Sequence, residues 1–170
     1  MYYRLLLLAT IVLLFSCKKK GCDIPEEIER IPVQVEIERL EKPFFGASSK
    51  QEIAQFLDGH PMFADRFLQR KGYPSDSALI DAMYALATNP ELKKLASEAD
   101  QTFGDMAQEK QQLETAFKSI KYYYPEFNEP QVKTFVSGLN QDLLVSDSLL
   151  VFGLDFFIGK NASYRPDTYE

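Results

Sequence analysis

The chain has 170 residues, 45% of them hydrophobic and 26% charged, with 19 basic against 25 acidic side chains and a formal net charge of −6. One domain is the expectation at this length, and 13 Phe with 9 Tyr supply ample core material, which excludes a disordered chain. The acid surplus, with three lysines bunched at residues 18–20, leaves no stripe for gripping phosphate backbones and excludes nucleic acid as a partner.

In chain order, the first signal is "LLLLATIVLLFSCKKK", Leu5 to Lys20. A spanning helix needs about 20 consecutive apolar residues, and the run from Leu5 to Phe15 is far shorter. Arg4 before it and the small residue Ser16 after it describe a secretory signal peptide over residues 1–16, cut between Ser16 and Cys17. The junction Leu14-Phe15-Ser16-Cys17 resembles the lipobox of bacterial lipoproteins, whose cysteine takes a diacylglycerol before cleavage; Phe15 is a less usual occupant of its slot. Cys17 is therefore the expected lipidation site. Two or three acyl chains hold a protein on a bilayer stably where one does not, so the membrane lipid partner is reached through acylated Cys17. Lys18, Lys19 and Lys20 read either as a membrane-proximal basic cluster or as a solvated spacer. No aspartate follows Cys17, which favours the outer membrane, facing the periplasm. With the sulfur of Cys17 in a thioether, an intramolecular disulfide is ruled out, and Cys22 is left as a free thiol or as half of an intermolecular bridge.

Residues 17–30 read as a charged tether with Pro25 and one helical turn near Glu26 to Arg30, leading into an α+β envelope domain over residues 31–170. Val33, Val35 and Ile37 alternate with Gln34, Glu36 and Glu38, the pattern of a half-exposed strand. Five helices follow between about 49 and 124. Ser49 and Glu52 fit a capping box, with Ile53, Phe56 and Leu57 on the buried face. Pro61 and Pro90 suit first helical positions, Asn89 and Ser75 suit N-caps, and Leu92, Leu95, Ala96, Ala99 and Phe103 make one stripe. The longest helix is expected over about Asp105 to Tyr124, with Met106, Leu113, Phe117, Ile120 and Tyr124 on one side and Pro125 as its stop. Tyr122, Tyr123 and Tyr124 read as core packing and a helix-end shelf in preference to an interaction patch, because three neighbours on a helix spread over most of its circumference.

Val132–Val136, Leu143–Val145 and Leu149–Ile158 are the strands of a C-terminal sheet, mainly antiparallel or mixed, with turns at Gly138-Leu139-Asn140 and Asp147-Ser148. The last run is apolar on both sides, so it wants cover on both faces. The helices before it shield one, and too few residues follow to build the other. The expectation is an incomplete domain, the N-terminal part of a longer protein, or else an oligomer that supplies the missing layer.

Catalytic signals are absent from these residues. There is one histidine, His60, read as a helix-start residue with a local hydrogen bond; no H-E-x-x-H, no G-x-S-x-G elbow and no phosphate loop occur. Asp142, Asp147 and Asp155 lack EF-hand order and read as turn residues. No catalytic residue, metal ligand or cofactor is assigned.

Four strings, "CKKKGCDIPEEIERIPVQVEIERLEKPFF", "GHPMFADRFLQRKGYPSDS", "AFKSIKYYYPEF" and "TFVSGLNQDLLVSDSLLVFGLDFFIGKNASYRP", resemble the gliding-motility lipoprotein family GldB of the Bacteroidota, over Cys17 to Arg165. The resemblance implies an envelope lipoprotein needed for surface gliding, whose machinery shares components with type IX secretion, with Cys17 as the lipidated cysteine and Cys22 as its companion thiol. It also implies chains that continue past this one. The preferred function is a non-catalytic protein that docks onto other envelope proteins of the motility or secretion apparatus. The alternative is a hydrolase, or the relic of a gluzincin-like peptidase, with its active half beyond residue 170; that comparison is loose fold analogy.

Overall fold

The computed structural model describes residues 24–165. The chain divides into two compact units, 1–31 and 32–170. The described part of the first holds the expected helical turn, α1 (Glu26–Glu29), where the Arg30 guanidinium meets Glu26 Oε2 at 3.1 Å.

The second unit runs β1 (Ile37–Arg39), α2 (Glu41–Gly46), α3 (Lys50–Gly59), α4 (Pro61–Arg66), a 3-10 turn at Arg70–Gly72, α5 (Asp76–Thr88), α6 (Pro90–Phe103), α7 (Ala107–Tyr123), β2 (Gln131–Phe135), β3 (Leu143–Val145), β4 (Leu149–Gly153) and a 3-10 turn at Leu154–Phe156. The fold is α+β, with five α-helices in the stretch where five were expected. One element was missed: α2 is built from Glu-Lys-Pro-Phe-Phe-Gly, and Pro43 is tolerated because it lies in the first turn, where its missing N–H has no partner to lose.

Helix starts follow their caps. Ser75 Oγ accepts from Ala78 N at 3.2 Å, and Asn89 Oδ1 accepts from Glu91 N at 2.9 Å and Leu92 N at 3.3 Å. The capping box at α3 is half as expected. Ser49 Oγ accepts from Glu52 N at 3.2 Å, but the Glu52 carboxylate reaches back to Ser48 N, at 2.7 Å, one residue earlier than the motif specifies. That backbone hydrogen bond from Ser48, joined by the Ser48 hydroxyl, holds the Glu52 carboxyl below its ordinary range.

The sheet order is β1-β2-β4-β3. β1 and β4 both run parallel to β2, and β3 is antiparallel to β4. On one face, called inner here, Phe135, Leu149 and Val151 pack with Phe44, Ile53, Phe63 and Leu79 from α2 to α5. Phe135 is the hub of this layer. Its ring meets Phe44 at 4.8 Å and Phe63 at 5.0 Å, both edge to face.

The outer face is Ile37, Val132, Val136, Leu150 and Phe152, which pack against residues of α6 and α7 such as Leu95, Ala99 and Phe117. The second layer over the last strand is therefore supplied from within the helical block. α6 and α7 cross to the face opposite α2–α5, and the premise of an uncovered sheet does not hold for β2 and β4.

Three boundaries differ from expectation. The alternation at Val33, Val35 and Ile37 is kept in burial, yet the strand ladder covers Ile37–Arg39 only. Extending the register sets Val35 opposite Pro130, which has no N–H to give, and Val35 N donates instead to Glu114 Oε1 at 3.2 Å. The last strand stops at Gly153 and not at Ile158. There the Gln141 carbonyl crosses so closely that a Cβ would lie 2.1 Å from its oxygen. Finally, α7 begins after Met106, whose left-handed φ of 58° precedes the helix.

Candidate functional site

Ser16, Cys17, Lys18, Lys19, Lys20 and Cys22 lie outside the described residues. Among the described residues, no group of three or more His, Cys, Asp or Glu side chains is placed to hold a metal ion, and no helix is long and apolar enough to cross a membrane.

Chemistry-bearing side chains gather first on the inner face of β1 and β2. The register sets Glu38 opposite Lys133, whose ammonium, almost fully enclosed, pairs with Glu38 Oε2. His60 arrives from the start of α4. Its Nε2 is 2.9 Å from Glu38 Oε1, and its Nδ1 is 2.7 Å from Phe56 O, the local bond expected of it. Burial works against the Glu38 charge, but the hydrogen bonds from Lys133 and His60 outweigh it and hold the carboxyl below its usual range. The trio ties β1 to β2 and α3 to α4.

On the outer face, Arg39 is clamped. Its Nε donates to Glu41 Oε1 at 2.5 Å, its Nη1 reaches the Gly104 carbonyl and lies 3.1 Å from Asp100 Oδ1, and Thr134 Oγ1 donates to Glu41 Oε2 at 2.7 Å. Asp155, only 1% exposed, gathers the loop after β2: it accepts from Ser137 N at 3.1 Å and from Leu139 N at 2.5 Å. Those bonds hold Leu139 at a left-handed φ of 60° behind Gly138 at 73°. Asp155 is thus a turn organiser, as the sequence suggested.

The feature without an internal role is apolar. Between α7 and the outer face of the sheet lies a groove of about 440 Å³, lined by Ile37, Phe152 and Leu154, by Phe103 and Met106, by Glu109, Gln112, Leu113 and Ala116 of α7, and by Phe157. Phe157 is 51% exposed. Residues 109, 113, 116, 120 and 123 share one side of a helix, so the groove's α7 edge continues into Ile120 and Tyr123, which are 42% and 77% exposed.

This corrects the reading of the tyrosines. All three are exposed, and Tyr122 and Tyr123 pack on each other edge to face at 5.0 Å. The buried contacts of α7 end at Phe117, which meets Phe127 at 5.5 Å. Beyond it the last turn is held by Lys121 Nζ to Glu129 Oε1 at 2.5 Å, a link from outside the core. Helical spacing put Ile120 and Tyr124 in line with the core stripe. It could not show that the sheet ends beneath Phe117.

What the arrangement can do is bury an apolar ligand or the apolar anchors of a partner segment. In comparison with known proteins, the sequence model described as gliding motility protein GldB matches residues 21–170. No curated protein and no solved structure matches the chain. With the match extending over the tether end, the whole sheet and every helix that builds the groove, the chain belongs to the GldB family of gliding motility proteins.

Proposed function

We propose that the protein is an exported lipoprotein, anchored through acylated Cys17 to the envelope, at the outer membrane and facing the periplasm, and that it acts in gliding motility by binding and not by catalysis. The single observation that carries the binding reading is the apolar groove along α7. Its occupant is an amphipathic helix of another envelope protein of the motility or type IX secretion apparatus, with apolar anchors on one face and basic residues at its margin. The basic margin is inferred from Glu109 in the groove lining, Asp105 before α7, and a net charge of −6. The anchor reading is supported by the residues Leu14 to Cys17 and by membership of a lipoprotein family. Lys18, Lys19 and Lys20 then lie beside the headgroups.

The groove is tested with Ala116→Arg, which sets a long cation at an exposed position of its edge. Cells carrying it are expected to lose gliding and to lose cross-links between this protein and motility components, while the protein stays membrane-bound. Normal gliding by that strain overturns the groove reading. The anchor is tested separately by mass spectrometry of the mature N-terminus. A diacylglyceryl or triacyl adduct on Cys17 is expected, with Cys17→Ser left unprocessed; an unmodified cysteine in the wild type, released to the soluble fraction, rejects it.

A further inference from the structure

β3 is an edge strand. Its bonds to β4 continue outward on both sides: Gly153 N donates to Asp142 O at 2.7 Å and Ser146 N to Leu149 O at 3.0 Å. Residues 142, 144 and 146 thus turn their backbone groups toward β4, and the alternation of an antiparallel ladder turns the N–H and C=O of Leu143 and Val145 outward. The side chains of the same two residues lie on the outer face and are 41% and 69% exposed. At three residues β3 is short, itself one device against edge pairing, but no proline, lysine or bulge guards it.

We propose that β3 pairs with β3 of a second copy of this chain, antiparallel about a two-fold axis through Leu144, to form one eight-stranded sheet. The proposal stands apart from the groove and from the anchor. An antiparallel pair of identical strands is its own two-fold partner, so the contact closes as a dimer and does not propagate. In this register Leu143 faces Val145 of the other copy twice, and all four outward N–H and C=O pairs are used. The exposed apolar side chains meet across the same junction. Leu144 faces its own copy on the axis, as a pair without backbone hydrogen bonds, whose Cα atoms come close.

Charge selects a second copy over another extended segment. Asp142 falls opposite Ser146 of the partner copy, on the inner face. Ser146 is where Arg66 sits: Arg66 Nη1 donates to Ser146 Oγ at 2.9 Å and lies 3.5 Å from Asp147 Oδ1. The exposed Asp142 carboxylate, which has no partner of its own among the described residues, is thereby brought to the Arg66 guanidinium of the other chain, and the symmetry repeats the contact.

The test uses the full-length lipidated protein in detergent micelles, with the protein mass per particle measured by light scattering. Two chains per particle are expected for the wild type and one for Val145→Lys. Arg66→Glu and Asp142→Arg are each expected to weaken the dimer, and the two together on one chain to restore it. In a Cys22→Ser background, Leu144→Cys is expected to cross-link into a disulfide dimer and Leu143→Cys to remain uncrosslinked, because position 143 faces 145. A wild type with one chain per particle overturns the proposal. So does a dimer that survives Val145→Lys, or one in which the charge exchange gives no rescue, since the contact then lies elsewhere or the occupant of the edge is another protein.

Discussion

Gly153 and Asp155 show how single residues end the sheet. The Gln141 backbone occupies the place where a side chain at 153 would begin. Gly153→Ala must push that backbone away, and a loss of about 1–3 kcal/mol is expected from urea unfolding, the range for overpacked sites. Asp155→Ala leaves the N–H groups of Ser137 and Leu139 without their acceptor, and with it the bonds that hold Leu139 at positive φ. A loss of about 3 kcal/mol is expected, since each buried donor left unsatisfied costs roughly 1–3. Asp155 was legible as a turn residue by type, but that the turn it organises is the distant one at Ser137 and Leu139 was not. Gly153 was not legible. Nothing in a sequence shows that the backbone of a residue twelve positions away will cross it.

At the scale of elements, the helices are set by short-range signals and the strands by long-range ones. The side-chain caps at Ser75 and Asn89 start α5 and α6, and each replaced by alanine is expected to cost about 1 kcal/mol in thermal or urea unfolding. These are local contacts within three residues, and so the sequence carries them in full. α7 obeys the same periodicity along its length, but which part of its stripe is covered depends on where the sheet stops. Ile120 and the tyrosines were assigned to the core for that reason. β1 was placed a few residues early because its ladder depends on Pro130, far along the chain, and the capping glutamate of α3 chose Ser48 over Ser49 by a geometry that the motif leaves open.

For the molecule as a whole, two layers share one sheet. Phe135 is fully buried between Phe44, Phe63 and Phe67 on the inner side, and Phe135→Ala is expected to cost about 3–5 kcal/mol of unfolding free energy. Electrostatics sets the response to acid. Glu38, Glu52, Asp76, Glu98, Asp100 and Glu129 all have carboxyls held low by hydrogen bonds or charges, with Asp76 gripped by both Nε and Nη2 of Arg70 at 2.8 and 2.7 Å. A carboxyl with a lower pKa folded than unfolded stabilises the fold above its unfolded value, and the contribution disappears as pH falls through the folded one. The melting temperature is therefore expected to drop from about pH 4.5 downward, while between pH 6 and 8 the stabilisation from these groups is complete and does not vary with pH. Glu38→Gln is expected to shallow that acid limb; an unchanged limb would remove Glu38 from the list.

By itself the sequence determined the α+β class, the helix starts, the alternating faces of the strands and the family, because caps, periodicity and long specific strings are all written in neighbouring residues. The tertiary structure decided which strands pair and in which direction, that α6 and α7 cover the face thought bare, and that the tyrosine end of α7 and the edge of β3 are exposed. Those outcomes depend on contacts between segments tens of residues apart. Periodicity gives a side chain its direction, and only the packed chain shows what, if anything, it meets there.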